Sequence, residues 1–182
     1  MPQSLAPTAT LARTRLLALD VDGVLSDGRL YFQSDGSEIK AFHTQDGHGL
    51  KLLKRMGITV ALITGRESPM VTQRAKALGI AHVYQGREDK LETLAQLCQT
   101  LDITLEQAAY CGDDLPDLAA IQRAGVGISV PNAPAYMRKH ADWVTQRAGG
   151  HGAVREICDA LLSAQGHWDN ILQSYHHEPL SP

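Results

Sequence analysis

Apolar positions along this chain alternate between two patterns. Short unbroken runs, each closed by a polar or acidic residue, lie at 15–20, 59–64, 81–84, 108–111 and 126–130, with a shorter one at 143–145. Apolar runs without polar alternation read as strands covered on both faces. Between them the spacing turns helical. Leu50 and Leu53 lead up to Gly57, a helix stop. Ser68-Pro69 reads as an N-cap followed by proline at the first helical position, with the helix running to Gly79. Leu91, Leu94, Ala95 and Leu97 predict a helix over 88–101, and 117–123 and 153–162 are further candidates. Strands alternating with helices predict an α/β fold with a mainly parallel sheet.

One stretch breaks the alternation. Residues 29–33 and 38–42 flank Ser34-Asp35-Gly36-Ser37, which reads as a small β-hairpin flap over 29–42, where a helix would be expected after the first strand. Residues 1–14 hold two prolines among Ser, Thr and Ala and read as a flexible leader. Residues 15–165 form a single domain in this reading, and 166–182 a polar tail carrying Trp168, Tyr175 and a His176-His177 pair. Adjacent histidines do not share a helix face, so that pair reads as solvated.

Composition narrows the function classes. At 182 residues, 43% hydrophobic and 20% charged, the chain is an ordinary globular protein. A net charge of −3 leaves no basic excess for nucleic acid. No apolar run is long enough to span a membrane, and the N-terminus does not read as a signal peptide, so the expected location is cytoplasmic. Cys98, Cys111 and Cys158 are odd in number and share no CxxC spacing, which predicts buried reduced thiols.

The chemistry collects at the ends of the predicted strands. The first ends in Asp20-Val21-Asp22-Gly23, the next in Thr64-Gly65-Arg66, and the strand at 108 in Gly112-Asp113-Asp114, while Lys90 stands at a helix start. Ligands of open α/β sheets bind at these carboxyl ends. Each motif alone is an ordinary turn, cap or solvated lysine; their joint occurrence, in the order acid pair, Thr, Lys, acid pair, is what points to a site. Crowded carboxylates need a cation, and hard oxygen donors on short loops suit Mg²⁺. A carboxylate can attack phosphorus to give an aspartyl-phosphate, a second can protonate the leaving oxygen, and a lysine can neutralise phosphoryl charge. No P-loop, dinucleotide fingerprint or nucleophile elbow is present in the sequence.

This order resembles the haloacid dehalogenase (HAD) superfamily of phosphohydrolases. Its four motifs are matched by Leu19-Asp20-Val21-Asp22-Gly23-Val24-Leu25, by Leu62-Ile63-Thr64-Gly65-Arg66, by Lys90, and by Gly112-Asp113-Asp114-Leu115-Pro116-Asp117. The resemblance implies a Rossmann-like three-layer fold. It implies Asp20 as nucleophile and metal ligand, and Asp22 as general acid/base with its carbonyl on the metal. Thr64 and Lys90 are implied on the phosphoryl group, Asp113 as the remaining ligand, and Asp114 and Asp117 as orienting groups. An Asp at both acidic positions of the first motif favours phosphoryl transfer.

Within the superfamily, Asp27-Gly28, the hairpin, the segment Phe42-His43-Thr44-Gln45-Asp46-Gly47-His48-Gly49, Gly149-Gly150-His151-Gly152-Ala153-Val154-Arg155-Glu156 and Ala164-Gln165-Gly166 are similar to the phosphatases of 3-deoxy-D-manno-octulosonate 8-phosphate, a keto-sugar acid phosphate of lipopolysaccharide synthesis. The substrate contacts this implies are Asp22, His43, Thr44, Gln45, Asp46, Gly47, Lys51, Arg66, Arg74 and Lys90, with Arg66 and Arg74 expected on the rim, facing the substrate carboxylate. Two positions depart from many members: His48 replaces an aromatic residue and His151 an arginine. The intervals from Asp20 to His43 and from Thr64 to Asp89 leave no room for a cap domain. The resemblance implies a homotetramer in which neighbouring hairpins and tails cover the site. A related nine-carbon sugar acid phosphate, or a non-catalytic oligomerisation module, are the competing readings.

Overall fold

The computed structural model describes residues 6–176. In chain order the elements are α1 (Thr8–Leu11), β1 (Leu16–Leu19), β2 (Tyr31–Phe32), β3 (Glu38–Ile39), α2 (Thr44–Arg55), β4 (Thr59–Ile63), α3 (Pro69–Leu78), β5 (His82–Tyr84), α4 (Lys90–Thr100), β6 (Ala108–Cys111), α5 (Leu118–Arg123), β7 (Val126–Ser129), α6 (Ala135–His140), β8 (Trp143–Val144), α7 (Ala153–Ala164) and α8 (Trp168–Tyr175). A six-stranded sheet has the order β5-β4-β1-β6-β7-β8, with every pairing parallel. β1, β6 and β7 are buried at every position, as expected of strands covered on both sides. Helices α1, α2 and α7 pack together, and α4, α5 and α6 form a second group. This is the Rossmann-like α/β fold implied by the sequence.

The chain leaves β1 toward β4 and β5 on one side, and later fills β6, β7 and β8 on the other. The strand order therefore reverses beside β1, which is where open α/β sheets form their ligand crevice. Asp20 follows β1, Thr64 follows β4 and Gly112-Asp113 follows β6, so adjacent parallel strands deliver three of the four motifs to one edge.

Strand register explains how tightly these ends are fixed. Leu19 lies opposite Leu62 on one side and Cys111 on the other. The Asp20 amide continues the ladder by donating to the Cys111 carbonyl at 2.9 Å, and the Thr64 amide donates to Tyr84 at 2.9 Å. Each catalytic loop thus starts from a backbone group already held by a neighbouring strand.

The structure departs from the sequence reading at both ends of the chain. Part of the 1–14 leader is ordered: Leu11 in α1 is buried and packs into the core beside α7, and Gln165 donates to the Leu11 and Thr14 carbonyls at 3.1 and 2.8 Å. Part of the 166–182 tail is the amphipathic helix α8, whose Ile171 is buried and whose Trp168 indole donates to the Asp159 carbonyl. Single apolar residues among polar neighbours gave too little periodicity to reveal either packing. Of the histidine pair, His176 is exposed; His177 lies outside the described residues. Helix α6 is a further element that the sequence reading did not include. Ser68 does stand at the N-cap of α3, but its hydroxyl makes no capping bond; its amide donates to Gln85 Oε1 at 2.7 Å instead. All three cysteines are free and buried, as expected.

The flap is shorter than its sequence suggests, with only Tyr31–Phe32 paired to Glu38–Ile39. Leu30, Tyr31, Phe32 and Ile39 are exposed on it. Among the described residues no helix is long and apolar enough to cross a membrane.

Packing of the leader makes a stability prediction. Leu11→Ala removes a fully buried side chain and should cost about 2–4 kcal/mol in urea unfolding. A cost within about 0.5 kcal/mol, the range of surface substitutions, would mean that α1 does not belong to the core.

Candidate active site

Four acids and a lysine meet at the crevice beside β1. Lys90, at the first position of α4, is buried with its Nζ 2.9 Å from Asp20 Oδ1 and 2.7 Å from Asp117 Oδ1. Asp117 is fully engaged. Its Oδ1 also accepts from the buried Tyr110 hydroxyl at 2.7 Å, and its Oδ2 accepts from the amides of Asp113 and Asp114 at 3.1 and 3.2 Å. One side chain therefore sets both the lysine and the loop that carries Asp113. Asp114 sits at the edge, where it accepts from the Leu115 amide and from Tyr136 Oη at 2.7 Å.

The loops approach too closely for larger residues. A Cβ on Gly23, whose φ is +97°, would lie 2.0 Å from Asp113 Oδ2. Both backbone conformation and space therefore require glycine directly after Asp22. Asn132 staples this loop from outside, donating to the Gly23 carbonyl at 3.1 Å and accepting from the Gly149 amide at 2.8 Å. Ser129, buried at the end of β7, donates to the Gly112 carbonyl at 3.0 Å.

Electrostatics mark the pair Asp20 and Asp113. Burial, then repulsion from Asp117, pushes Asp20 up to about 7 despite the opposing pull of Lys90. Burial, then Asp20 and Asp117, pushes Asp113 up to about 8. Burial opposes the charge on Lys90, but the two carboxylates outweigh it and hold the ammonium above its ordinary value. Carboxylate oxygens of Asp20, Asp113 and Asp117 lie within 4.8 Å of one another. With Asp117 committed to Lys90, Tyr110 and two amides, the groups open to a cation are Asp20 and Asp113. Two oxygen donors held close, both made reluctant to ionise by burial and by neighbouring carboxylates, fit a hard divalent ion, which would relieve both.

The surrounding cleft has a volume near 340 Å³ and includes Asp22, Thr64, Arg66 and Glu88. Thr64 is buried at its floor. Arg66 lines the cleft half-exposed and spans two acids, with Nε 3.7 Å from Asp22 Oδ2 and a terminal nitrogen 3.1 Å from Glu38 Oε2.

The other expected substrate contacts lie elsewhere. Thr44, Gly47, Lys51 and Arg74 line a second pocket of about 230 Å³ with His48 and Leu78. Arg74 is not a free rim cation. It donates to the His43 carbonyl at 3.3 Å, stands 5.6 Å from the Phe42 ring centre, and fills the space left by Gly47. His43 occupies the N-cap of α2, with Nδ1 buried and unpartnered, as is Arg74 Nε. Gln45 meets Arg147 at 3.4 Å. Asp46 is fully buried and accepts from the Arg155 amide at 2.7 Å, so its carboxylate joins α2 to the start of α7 instead of facing a ligand. Lys40, Tyr110 and Asn132 carry much of the arrangement without having been singled out in the sequence. None lies in a motif whose residue type betrays its contact.

Comparison with known proteins agrees with the geometry. A profile of the haloacid dehalogenase-like hydrolase family matches residues 79–157. The 3-deoxy-D-manno-octulosonate 8-phosphate phosphatase KdsC of Escherichia coli K12 is 46% identical over 168 residues, 92% of this chain and 89% of that protein. The crystal structure of the phosphatase of the same name from Moraxella catarrhalis, in complex with a magnesium ion, a phosphate ion and a KDO molecule, superposes with a TM-score of 0.91 at 49% identity, covering 93% of this chain and 97% of that one. The cobalt-bound phosphatase from Haemophilus influenzae gives 0.83 at 40% identity, covering 86% and 92%.

The buried Asp46 predicts a pH signature. Burial raises its folded pKa above the ordinary 3.8, although the Arg155 amide pulls it down. The folded state then binds the proton more tightly than the unfolded state, so this residue's contribution to stability falls as pH rises through the folded pKa. Asp46→Asn keeps an acceptor for the Arg155 amide and does not titrate. Its stability relative to the wild type, measured by urea unfolding, should therefore rise from acid toward neutral pH; a flat or falling difference contradicts this.

Proposed function

The chain belongs to the haloacid dehalogenase-like hydrolases, among the 3-deoxy-D-manno-octulosonate 8-phosphate phosphatases, and from that premise we propose that it is a Mg²⁺-dependent phosphatase releasing phosphate from 3-deoxy-D-manno-octulosonate 8-phosphate through an aspartyl-phosphate on Asp20. Identity of 46% over 92% of the chain supports the substrate. What carries the reaction is the Asp20–Lys90–Asp117 chain, with bonds of 2.9 and 2.7 Å beside Asp113 at the strand-order reversal.

In this reading Asp20 attacks phosphorus while the bond from phosphorus to the sugar's 8-oxygen breaks, and Asp22 gives that oxygen its proton. Asp22 then takes a proton from water, which attacks phosphorus and frees Asp20 and inorganic phosphate. Lys90 faces the phosphoryl oxygens from a buried position, where its charge is weakly screened, and Thr64 donates to one of them. Asp20, Asp113 and the Asp22 carbonyl would hold Mg²⁺, which when bound neutralises phosphoryl charge. Asp114 and Asp117 orient the loop.

The reading includes a homotetramer. Four large apolar residues exposed on a two-residue-per-strand flap suit burial against another copy, because an isolated hairpin is marginal by itself. The pocket formed by Thr44, Gly47, Lys51 and Arg74 would then take the carboxylate end of a substrate held in a neighbouring cleft. Its two cationic side chains, Lys51 and Arg74, support this. In that assembly 15–165 is the catalytic domain and 29–42 the flap. A cytoplasmic location suits the three free thiols.

Phosphate release from this substrate, compared with a panel of sugar phosphates including a nine-carbon acid, should show strong preference for the eight-carbon acid. It should fall about 10³-fold or more in Asp20→Asn and stop when EDTA removes the metal. Preference for another phosphate would keep the mechanism and discard the substrate; undiminished release by Asp20→Asn would discard the mechanism. Phe32→Glu should shift the sedimentation mass from tetramer toward monomer and raise KM for the sugar acid phosphate. A tetramer unaffected by this change, or a monomeric wild type, contradicts the flap interface.

A further inference from the structure

The flap carries a lysine that reaches the reacting centre. Lys40 directly follows β3, and only 1% of its side chain is exposed. Its Nζ bonds Asp22 Oδ1 and lies 3.5 Å from Glu38 Oε1. Arg66 contacts the same two acids from the loop after β4. Two cations and two carboxylates therefore connect three segments: the first motif, the second motif and the flap. Ser26 Oγ adds a 3.3 Å bond to Asp22 Oδ1.

The two cations are unequal. Arg66 is 45% exposed and 3.7 Å from Asp22, the geometry of a surface pair, which contributes little. Lys40 is desolvated and in direct contact, so its attraction is weakly screened and a misplaced Asp22 carboxylate would leave a buried ammonium without its partner. Asp22 sits on a loop, and its side chain has two free torsions. Without Lys40 its carboxylate keeps only the 3.3 Å bond from Ser26 and the exposed Arg66 at 3.7 Å.

We propose that Lys40 is a positioning residue for the phosphatase reaction: it holds the Asp22 carboxyl toward the leaving oxygen and ties that alignment to the seating of the flap. The inference rests on the phosphatase reading, since Asp22 matters only as the group that gives the leaving oxygen its proton. Groups that orient a reacting side chain are typically worth about 10–100-fold, and a general acid itself about 10²–10⁴-fold. Lys40 should fall in the lower range.

Dependence on the leaving group separates this role from a structural one. Transfer from a sugar hydroxymethyl oxygen needs the proton that Asp22 gives as the phosphorus–oxygen bond breaks. Transfer from p-nitrophenyl phosphate does not, because nitrophenolate leaves unaided. The value of kcat/KM covers the steps through loss of the leaving group, so the later attack of water does not enter it. The experiment measures kcat/KM with Mg²⁺ on 3-deoxy-D-manno-octulosonate 8-phosphate and on p-nitrophenyl phosphate. It uses the wild type, Lys40→Met, Lys40→Arg and Glu38→Gln, with circular dichroism on each.

For Lys40→Met the expected result is a loss of about 10–100-fold on the sugar phosphate, mostly in kcat, and under about 3-fold on the aryl phosphate. Lys40→Arg should recover most of the loss. Glu38→Gln, which weakens the seat of the lysine on the flap, should move the ratio of the two substrates in the same direction by less, and it decides the matter should Lys40→Met not fold. Equal losses on both substrates, a loss confined to KM, or an unchanged ratio in the folded variants overturns the proposal. A wild type inactive on both substrates would overturn the phosphatase reading itself, whereas an active wild type with an unchanged ratio overturns only the role of Lys40.

Discussion

Lys90 is the charge on which the site depends. It is buried at the start of α4 and shared between Asp20 and Asp117. Asp117 gives its other oxygen to the amides of Asp113 and Asp114, and Tyr110 braces it from within β6. Removing the lysine charge would leave three acids crowded at one sheet edge. Keeping it pairs Asp20 and Asp117 and leaves a third acid, Asp113, close enough to complete a cation site with Asp20. Repulsion among these carboxylates is therefore the same force that makes a divalent cation fit, and that cation together with Lys90 would attract a phosphoryl group.

The sheet makes that crowding affordable. Every pairing in the six-stranded sheet is parallel and β1 lies inside it, so three motif loops leave the same edge from adjacent strands, each tied by a backbone bond to its neighbour. Close backbone approach at Gly23 then lets Asp113 come in beside the first motif. No large covering domain is present among the described residues; the flap supplies a short arm whose inner side meets Asp22 through Lys40 and whose outer side is apolar. In the proposed tetramer its two faces would link acid–base alignment to assembly within one element.

Much of this was legible in the sequence. Buried parallel strands have unbroken apolar runs, so β1, β4, β6 and β7 emerged directly, and acids at strand ends identify themselves by position. What the sequence hid was partnership over distance. Asp46, placed among ligand contacts, is buried against the start of α7, because a carboxylate looks the same whether it accepts from a substrate or from the Arg155 amide. Arg74 reads as a rim cation yet braces α2. Lys40 looks like an ordinary hairpin lysine until the chain folds it back to Asp22. Leu11 and Ile171 lie in polar segments with too little periodicity to show that each packs into the core.

The central claim is that Asp20 is the group phosphorylated during turnover. Its most direct test is acid quenching of the Asp22→Asn variant turning over p-nitrophenyl phosphate with Mg²⁺, followed by borohydride reduction and peptide mass mapping. That variant can lose the good leaving group but lacks the base for the second step, so the phosphoenzyme should accumulate. The account predicts conversion of Asp20 alone, in proportion to the nitrophenolate burst. Modification of Asp113 or another acid, or nitrophenolate release with Asp20 unmodified, would contradict it.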